Sequence, residues 1–159
     1  MKKQVINNKK TKEETPEKNV LQDIVSYVNE NHASAVIVFS GDDSQSKTIA
    51  AKTLANQLGL EIFRVDISKV ASKYIEETEK NLRKVFDVAE KGGFLLYFDE
   101  ADDLFGKHSE TEDTQEHQNG DCLLDLLRNH SGLSILAMKS SNSTILKRAK
   151  FVARFTLRT

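Results

Sequence analysis

The 159-residue sequence is poor in several residue types, and each shortage excludes a class of protein. A single cysteine, Cys122, excludes an internal disulfide framework and fits a reducing cytoplasm, where we expect the protein. No apolar run approaches the roughly 20 residues of a membrane-spanning helix, and the N-terminus lacks the apolar core of a signal peptide. The formal net charge of −1 gives no general attraction to nucleic acid or to an anionic membrane. These shortages predict a soluble globular domain.

Charge is unevenly distributed along this sequence. Residues 2–18 hold six lysines and three glutamates with few apolar residues, so we expect a flexible basic tail over 1–18. Residues 19–159 then form one domain, because their number suits a single core. No acid follows Asp125, whereas seven basic residues do. That basic end is either a solvated surface or a surface that meets phosphate or an acidic partner.

Apolar patterning predicts strands that alternate with helices. The strands are expected at Ala35–Ser40, Glu61–Asp66, Phe94–Phe98, Leu133–Met138 and near Phe151–Phe155. The helices are expected at about Glu17–Asn31, from Lys47 to Gly59, at about Glu77–Lys91 and around Cys122–Leu127. Between them, Gly106–Gly120 has no apolar residue and is predicted to be an exposed loop. The order indicates an α/β three-layer sandwich, with a mostly parallel sheet of about five strands covered by helices on both faces.

The segment GDDSQSKT, Gly41–Thr48, joins the first predicted strand to the helix that follows it. It has the frame of a phosphate-binding loop, G-x-x-x-x-G-K-[ST], with Ser46 in place of the second glycine. In such a loop the helix N-terminus binds an anion, Lys47 reaches the terminal phosphates and the Thr48 hydroxyl is a ligand of Mg²⁺. A nucleotide-phosphate site is therefore predicted at Gly41, Asp42, Asp43, Ser44, Gln45, Ser46, Lys47 and Thr48.

A second candidate element is the pair of acids Asp99 and Glu100, which directly follows the apolar run FLLYF. At the carboxyl end of a parallel strand, Asp99 can hold Mg²⁺ and Glu100 can orient an attacking water. The alternative is that both are acids at a helix start, which complement the helix dipole.

A third candidate is the basic pair Lys147 and Arg148 near the end of the chain. All three candidates are expected to converge beyond the carboxyl ends of the strands, where ligands bind in such sheets. An arginine that reaches the phosphates of a neighbouring subunit would stabilise charge in the transition state of phosphoryl transfer. The alternative is an ordinary surface pair.

One long stretch carries a family resemblance: LEIFRVDISKVASKYIEETEKNLRKVFDVAEKGGFLLYFDEADDLFGKHSE, Leu60–Glu110. With the two motifs, it resembles the α/β core of an AAA+ ATPase, a P-loop NTPase family, over roughly residues 33–155. The resemblance implies that Gly41, Lys47 and Thr48 are Walker A residues and that Asp99 and Glu100 are Walker B residues. It implies that Arg148 is the arginine finger and that Tyr74-Ile75 is the aromatic–hydrophobic pair of the pore loop. ATP and Mg²⁺ are the implied cofactors.

The chain also departs from the family pattern, which usually reads G-P-P-G-T-G-K-T. Ser44 and Ser46 replace two glycines, and Asp42 and Asp43 add negative charge where phosphate should bind. At about 6–8 Å and an effective dielectric near 20, one such acid is expected to weaken phosphate binding tens-fold. Lys139 stands where the sensor asparagine is expected. The sequence ends at Thr159, before the helical lid of the family.

We therefore expect an ATP-binding AAA-type ATPase domain with weak or partner-dependent hydrolysis, coupled to remodelling of a protein partner. The alternative is a non-catalytic pseudo-ATPase that acts as a protein-binding or assembly module, and a third hypothesis is a decayed paralogue without an independent role. A protein partner or substrate and a homo- or hetero-oligomer are the expected associations.

Overall fold

A computed structural model describes residues 16–30, 34–105, 114–139 and 143–155. Residues 1–15, which make up most of the predicted tail, lie outside the described residues. The described helices and strands follow one another in this order: α1 Pro16–Asn29, β1 Ala35–Gly41, α2 Ser44–Leu58, β2 Ile62–Asp66, α3 Ile67–Val70, α4 Ile75–Gly92, β3 Leu95–Asp99, α5 Asp102–Phe105, α6 Thr114–Asn129, β4 Leu133–Met138, α7 Ser143–Arg148 and β5 Phe151–Phe155.

The five strands form one sheet in the spatial order β2-β3-β4-β1-β5, and every neighbouring pair is parallel. Strand β1 pairs with β4 on one side and with β5 on the other, so the strand that leads into the Gly41–Thr48 segment is central. Because all strands run the same way, their carboxyl ends meet at one edge of the sheet. The predicted α/β class, with five parallel strands, is confirmed.

Helices cover both faces of the sheet, because the strands carry apolar side chains on both sides. On one face, buried residues of α4 and α6, such as Leu82, Phe86 and Leu123, pack against Leu96 and Phe98 of β3. On the other face, residues of α1 and α2 pack against the alternate strand residues, including Leu95 and Tyr97. The two cores make up the predicted three-layer sandwich. Within the described residues, no helix has both the length and the apolar character needed to cross a membrane.

Two helices begin earlier than the sequence predicts. Helix α2 begins at Ser44 instead of Lys47, because the Asp43 side chain caps its N-terminus. Helix α6 begins at Thr114, so the prediction of an exposed loop over Gly106–Gly120 is wrong for its second half, while residues 106–113 lie outside the described residues. Gly120 is buried in this helix and lies so close to the Phe105 ring that a Cβ there would be 2.6 Å from it. Gly120 is thus a helix residue that is packed against Phe105.

Candidate functional site

Three strand ends and one helix start meet at the carboxyl edge of the sheet. Strand β1 ends at Gly41, β3 ends at Asp99 and β4 ends at Met138. Helix α2 begins at Ser44, three residues beyond Gly41, which leaves only Asp42 and Asp43 between the strand and the helix. The Gly41–Thr48 segment and Asp99 therefore lie at one edge, as predicted from the sequence.

The first turn of α2 is closed by a side chain of the segment itself. Asp43 has an extended backbone, and its carboxylate accepts hydrogen bonds from the Ser46 N–H (3.2 Å) and the Ser46 hydroxyl (2.6 Å). These bonds from Ser46 lower the pKa of Asp43 below its usual range, so the group is a carboxylate at neutral pH. The first N–H groups of a helix have no partner within the helix and can bind an anion. In this chain, Asp43 itself is the anion at the N-terminus.

Asp42, Ser44 and Gln45 are exposed, whereas Lys47 is buried with only 3% of its surface accessible. The Lys47 ammonium donates hydrogen bonds to the carbonyl oxygens of Gly41 (2.7 Å) and Met138 (2.8 Å). Burial lowers the pKa of Lys47, and the nearby carboxylates, first among them Asp102, oppose the shift. Lys47 thus ties the carboxyl ends of β1 and β4 together.

The backbone geometry at the end of β1 requires a glycine at position 41. Its φ is +135°, and a Cβ built on it would lie 1.7 Å from the backbone carbonyl oxygen of Phe155 in β5. No other residue fits there without displacement of the neighbouring strand. The first glycine of the motif therefore has a structural reason in this chain that is independent of any ligand.

Asp99, the predicted metal ligand, is half-buried and forms an ion pair with the Arg64 guanidinium on β2. Its strand neighbour Tyr97 is buried on the same face of the sheet. Burial raises the pKa of Tyr97, and a hydrogen bond with the Thr48 side chain opposes this shift. Thr48 and Asp99 therefore both lie near the buried Tyr97 hydroxyl.

Glu100, the predicted water-orienting residue, is exposed and follows β3 with a φ of 58°. Left-handed backbone is uncommon for a residue with a side chain, and it is a recurring feature of functional sites. Just beyond it, Asp102 accepts a hydrogen bond from the Lys139 N–H (2.9 Å), which fixes the end of β4 beside the site. The charge of Lys139 also contributes to the lowered pKa of Lys47, after burial.

Arg148 lies apart from these groups. It ends α7, and Lys150, two residues later, donates its N–H to the Val36 carbonyl (2.7 Å) at the amino end of β1. The length of β1 at 3.3 Å per residue separates that end from Asp42 by about 20 Å. Arg148 is exposed and lines a groove of about 270 Å³ with Arg128 and three apolar residues. It therefore cannot reach the Gly41–Thr48 segment of its own chain.

The donor atoms fit a Mg²⁺ ion that arrives with a nucleotide. Thr48 and Asp99, which both lie near the Tyr97 hydroxyl, supply oxygen atoms of the kind that Mg²⁺ prefers. Within the described residues, no three His, Cys, Asp or Glu side chains are arranged to hold a metal. Phosphate oxygens and water would thus have to complete the shell. The Gly41–Thr48 segment can bind a phosphate only if the Asp43 carboxylate releases the Ser46 N–H.

Sequence reasoning missed two side chains of this edge, Arg64 and Asp102. Arg64 lies within a strand, where it has no motif and no distinctive spacing. Only the pairing of β2 with β3, in which Arg64 lies opposite Tyr97, brings it to Asp99. Asp102 could have been suspected from the acid-rich run Asp99–Asp103, but its contact with β4 depends on the tertiary fold.

The sheet order and the helix that follows β1 are those of a P-loop NTPase-like α/β fold. The family model for the ATPase family associated with various cellular activities (AAA) matches residues 37–158. An uncharacterized AAA family ATPase, y4kL, from Sinorhizobium fredii (strain NBRC 101917 / NGR234) is 39% identical over an alignment of 80 residues. The alignment covers 46% of this chain and 24% of that protein. This chain belongs to the AAA family of ATPases, which implies nucleotide binding, usually with Mg²⁺. The chain spans less than a quarter of that relative.

Proposed function

We propose that this AAA domain binds ATP with Mg²⁺ weakly, and that its hydrolysis of ATP to ADP and phosphate is slow or depends on a partner. The observation that carries the proposal is the Asp43 carboxylate on the Ser46 N–H, beside the Lys47 ammonium. The residues proposed to bind phosphate lie in one short segment, but an internal anion holds the N–H that a phosphate would use. ATP has to displace Asp43 before it can bind.

Each predicted residue has a distinct role in this proposal. Lys47 would leave the carbonyls of Gly41 and Met138 and contact the terminal phosphates. Thr48 and Asp99 would hold Mg²⁺, which neutralises phosphate charge when bound. Glu100 would orient the attacking water.

Arg148 is proposed to act on a neighbouring subunit, since it lies about 20 Å from the segment in its own chain. Slow hydrolysis by the isolated domain follows, because the arginine that stabilises transition-state charge would come from another copy or from a related subunit. A protein partner whose remodelling is coupled to hydrolysis completes this proposal.

The second candidate function is a pseudo-ATPase that serves as an assembly or protein-binding module. Two contacts favour it: Lys47 is held by two backbone carbonyls, and Asp99 is held by Arg64. The Ser46 N–H, Lys47 and Asp99 all have partners within the protein. The fold therefore needs no nucleotide to satisfy these groups.

Calorimetric titration of the wild type and of Asp43→Asn with Mg-ATP separates the two candidates. Asn caps a helix about as well as Asp, so the substitution removes the charge and keeps the cap. We expect Asp43→Asn to bind ATP at least about tenfold more tightly than the wild type, from the removed repulsion. The control is Asp87→Asn, which removes one exposed carboxylate from α4.

Asp87 is a suitable control because it lies five residues before the end of α4, which leads into the amino end of β3. The Gly41–Thr48 segment and Asp99 lie at the opposite, carboxyl edge of the sheet. Equal ATP affinity of Asp43→Asn and wild type would refute the internal-anion argument. No ATP binding by either protein at millimolar ATP would refute the first function and favour the second.

A further inference from the structure

Arg64 and Asp99 form an ion pair at the edge where the metal is proposed to bind. Arg64 lies on the edge strand β2, directly opposite Tyr97 and two residues short of the strand end. Its guanidinium extends along the sheet and donates to Asp99 Oδ2. The Arg64 side chain is 61% exposed, whereas Asp99 is only 20% exposed. The carboxylate is thus the fixed partner of the pair, and the guanidinium is the one that can move.

Arg64 offsets the negative charge of two carboxylates, Asp99 and Asp66. Asp66 lies in register with Asp99 on the neighbouring strand, so two acids end adjacent strands side by side. The hydrogen bond to Asp99 is the main cause of the raised pKa of Arg64, and Asp66 contributes to the shift. Without the guanidinium, the edge would present two adjacent carboxylates near the Tyr97 hydroxyl. Oxygen donors of this kind are what Mg²⁺ and Mn²⁺ prefer.

We propose that Arg64 is a tethered counter-cation that positions the Asp99 carboxylate and competes with a divalent metal for it. A metal that binds Asp99 has to displace the guanidinium from one carboxylate oxygen or accept a positive charge beside it. Arg64 also supplies permanent positive charge near the proposed phosphate site. Nucleotide binding by the wild type should therefore depend little on Mg²⁺, a consequence that rests on the proposed ATP binding.

The first test uses Mn²⁺ alone, so it does not depend on a nucleotide. Amide signals of Asp99 and Glu100 are followed by NMR while Mn²⁺ is added to the wild type, Arg64→Gln, Arg64→Lys and Arg83→Gln. Arg83 is the matched control, since it is 62% exposed, is paired with the carboxylate of Glu79 and lies on α4. Each Gln variant removes one exposed, paired arginine charge.

We expect Arg64→Gln to need about five- to tenfold less Mn²⁺ than the wild type for half-complete broadening of these signals, because a unit charge beside the metal is removed. Arg64→Lys keeps a charge and should stay near the wild type, as should Arg83→Gln. Adding Asp99→Asn to Arg64→Gln should raise the Mn²⁺ requirement at least to that of the wild type, because the ligand itself is removed. Equal Mn²⁺ dependence of Arg64→Gln and wild type, or a double variant that needs as little Mn²⁺ as Arg64→Gln, would overturn the proposal.

The second test compares the ATP dissociation constant in Mg²⁺ with that in EDTA. We expect a ratio near one for the wild type and Arg83→Gln, and a several-fold preference for Mg²⁺ in Arg64→Gln. An unchanged ratio in Arg64→Gln would overturn the nucleotide part of the proposal. If no variant binds ATP at all, the proposed function fails, and the Mn²⁺ titration still decides whether Arg64 competes with metal at Asp99.

Discussion

Replacement of Lys47 by methionine removes the ammonium and keeps most of the apolar stem. The side chain is buried, and its ammonium is the donor to the carbonyls of Gly41 and Met138 at the ends of β1 and β4. Each hydrogen bond that involves a charged group contributes about 1.5–3 kcal/mol, and a buried acceptor without a partner costs about 1–3 kcal/mol. Relief of the buried charge offsets part of this loss.

The net expectation for Lys47→Met is a loss of about 2 kcal/mol in the free energy of unfolding. For a domain of this size, that loss corresponds to a fall in Tm of roughly 4–8 °C. Urea and thermal unfolding without nucleotide measure it. Lys52→Met is the matched control, because Lys52 is an exposed lysine of the same helix. We expect that variant to stay within about 0.5 kcal/mol of the wild type.

The pH dependence of Lys47→Met gives a second readout of the same contact. Burial lowers the pKa of Lys47 below its unfolded value of 10.5, so between the two values the unfolded chain binds more protons. The stability of the wild type relative to Lys47→Met should therefore rise as pH increases through that window. Equal stability of the two proteins at neutral pH would refute a structural role for the buried ammonium, and no relative rise toward pH 10.5 would contradict its lowered pKa.

Three further predictions follow from other contacts. Gly41→Ala should destabilise the domain by at least about 3 kcal/mol in urea unfolding, because its Cβ would overlap the Phe155 carbonyl; a loss below about 1 kcal/mol would contradict the geometry. Glu90 has a pKa lowered chiefly by the Ser131 N–H, so its stabilisation is present above pH 4.5 and is lost in acid; Glu90→Gln should lose stability at neutral pH and show a weaker acid dependence. Arg148→Ala should leave ATP affinity unchanged and lower any hydrolysis stimulated by assembly, whereas a weaker ATP affinity in the monomer would place Arg148 at its own site.

The sequence alone was sufficient to predict the strands of the sheet. Five apolar runs with intervening amphipathic segments predicted all five strands to within a residue or two, because a parallel strand buried on both faces has a strong local signal. It was not sufficient for α6, where a polar segment around Gly120 looks like a loop. Only contact with Phe105, which is distant in sequence, explains why a small residue is needed there.

Some features of the candidate site could likewise be predicted from the sequence, whereas others depended on the fold. The Gly41–Thr48 segment and Asp99 were predicted to lie at one edge from their positions after strands, and they do. The sequence also showed that Asp43 adds charge to the segment. It did not show that Asp43 caps α2, so that the helix begins at Ser44, since capping depends on the backbone geometry of the turn. The ion pair of Arg64 with Asp99 could not be predicted from the sequence, because it depends on the pairing of β2 with β3.

The most direct test of the central claim is an NMR titration of Asp43→Asn and wild type with Mg-ATP, observed at the Ser46 and Lys47 amides. If phosphate replaces the Asp43 carboxylate at the start of α2, these two amides should shift first and most in both proteins. The half-saturating ATP concentration should be at least about tenfold lower for Asp43→Asn. Shifts at distant residues with both amides unchanged, or no shift in either protein at millimolar ATP, would contradict the claim that this segment binds ATP.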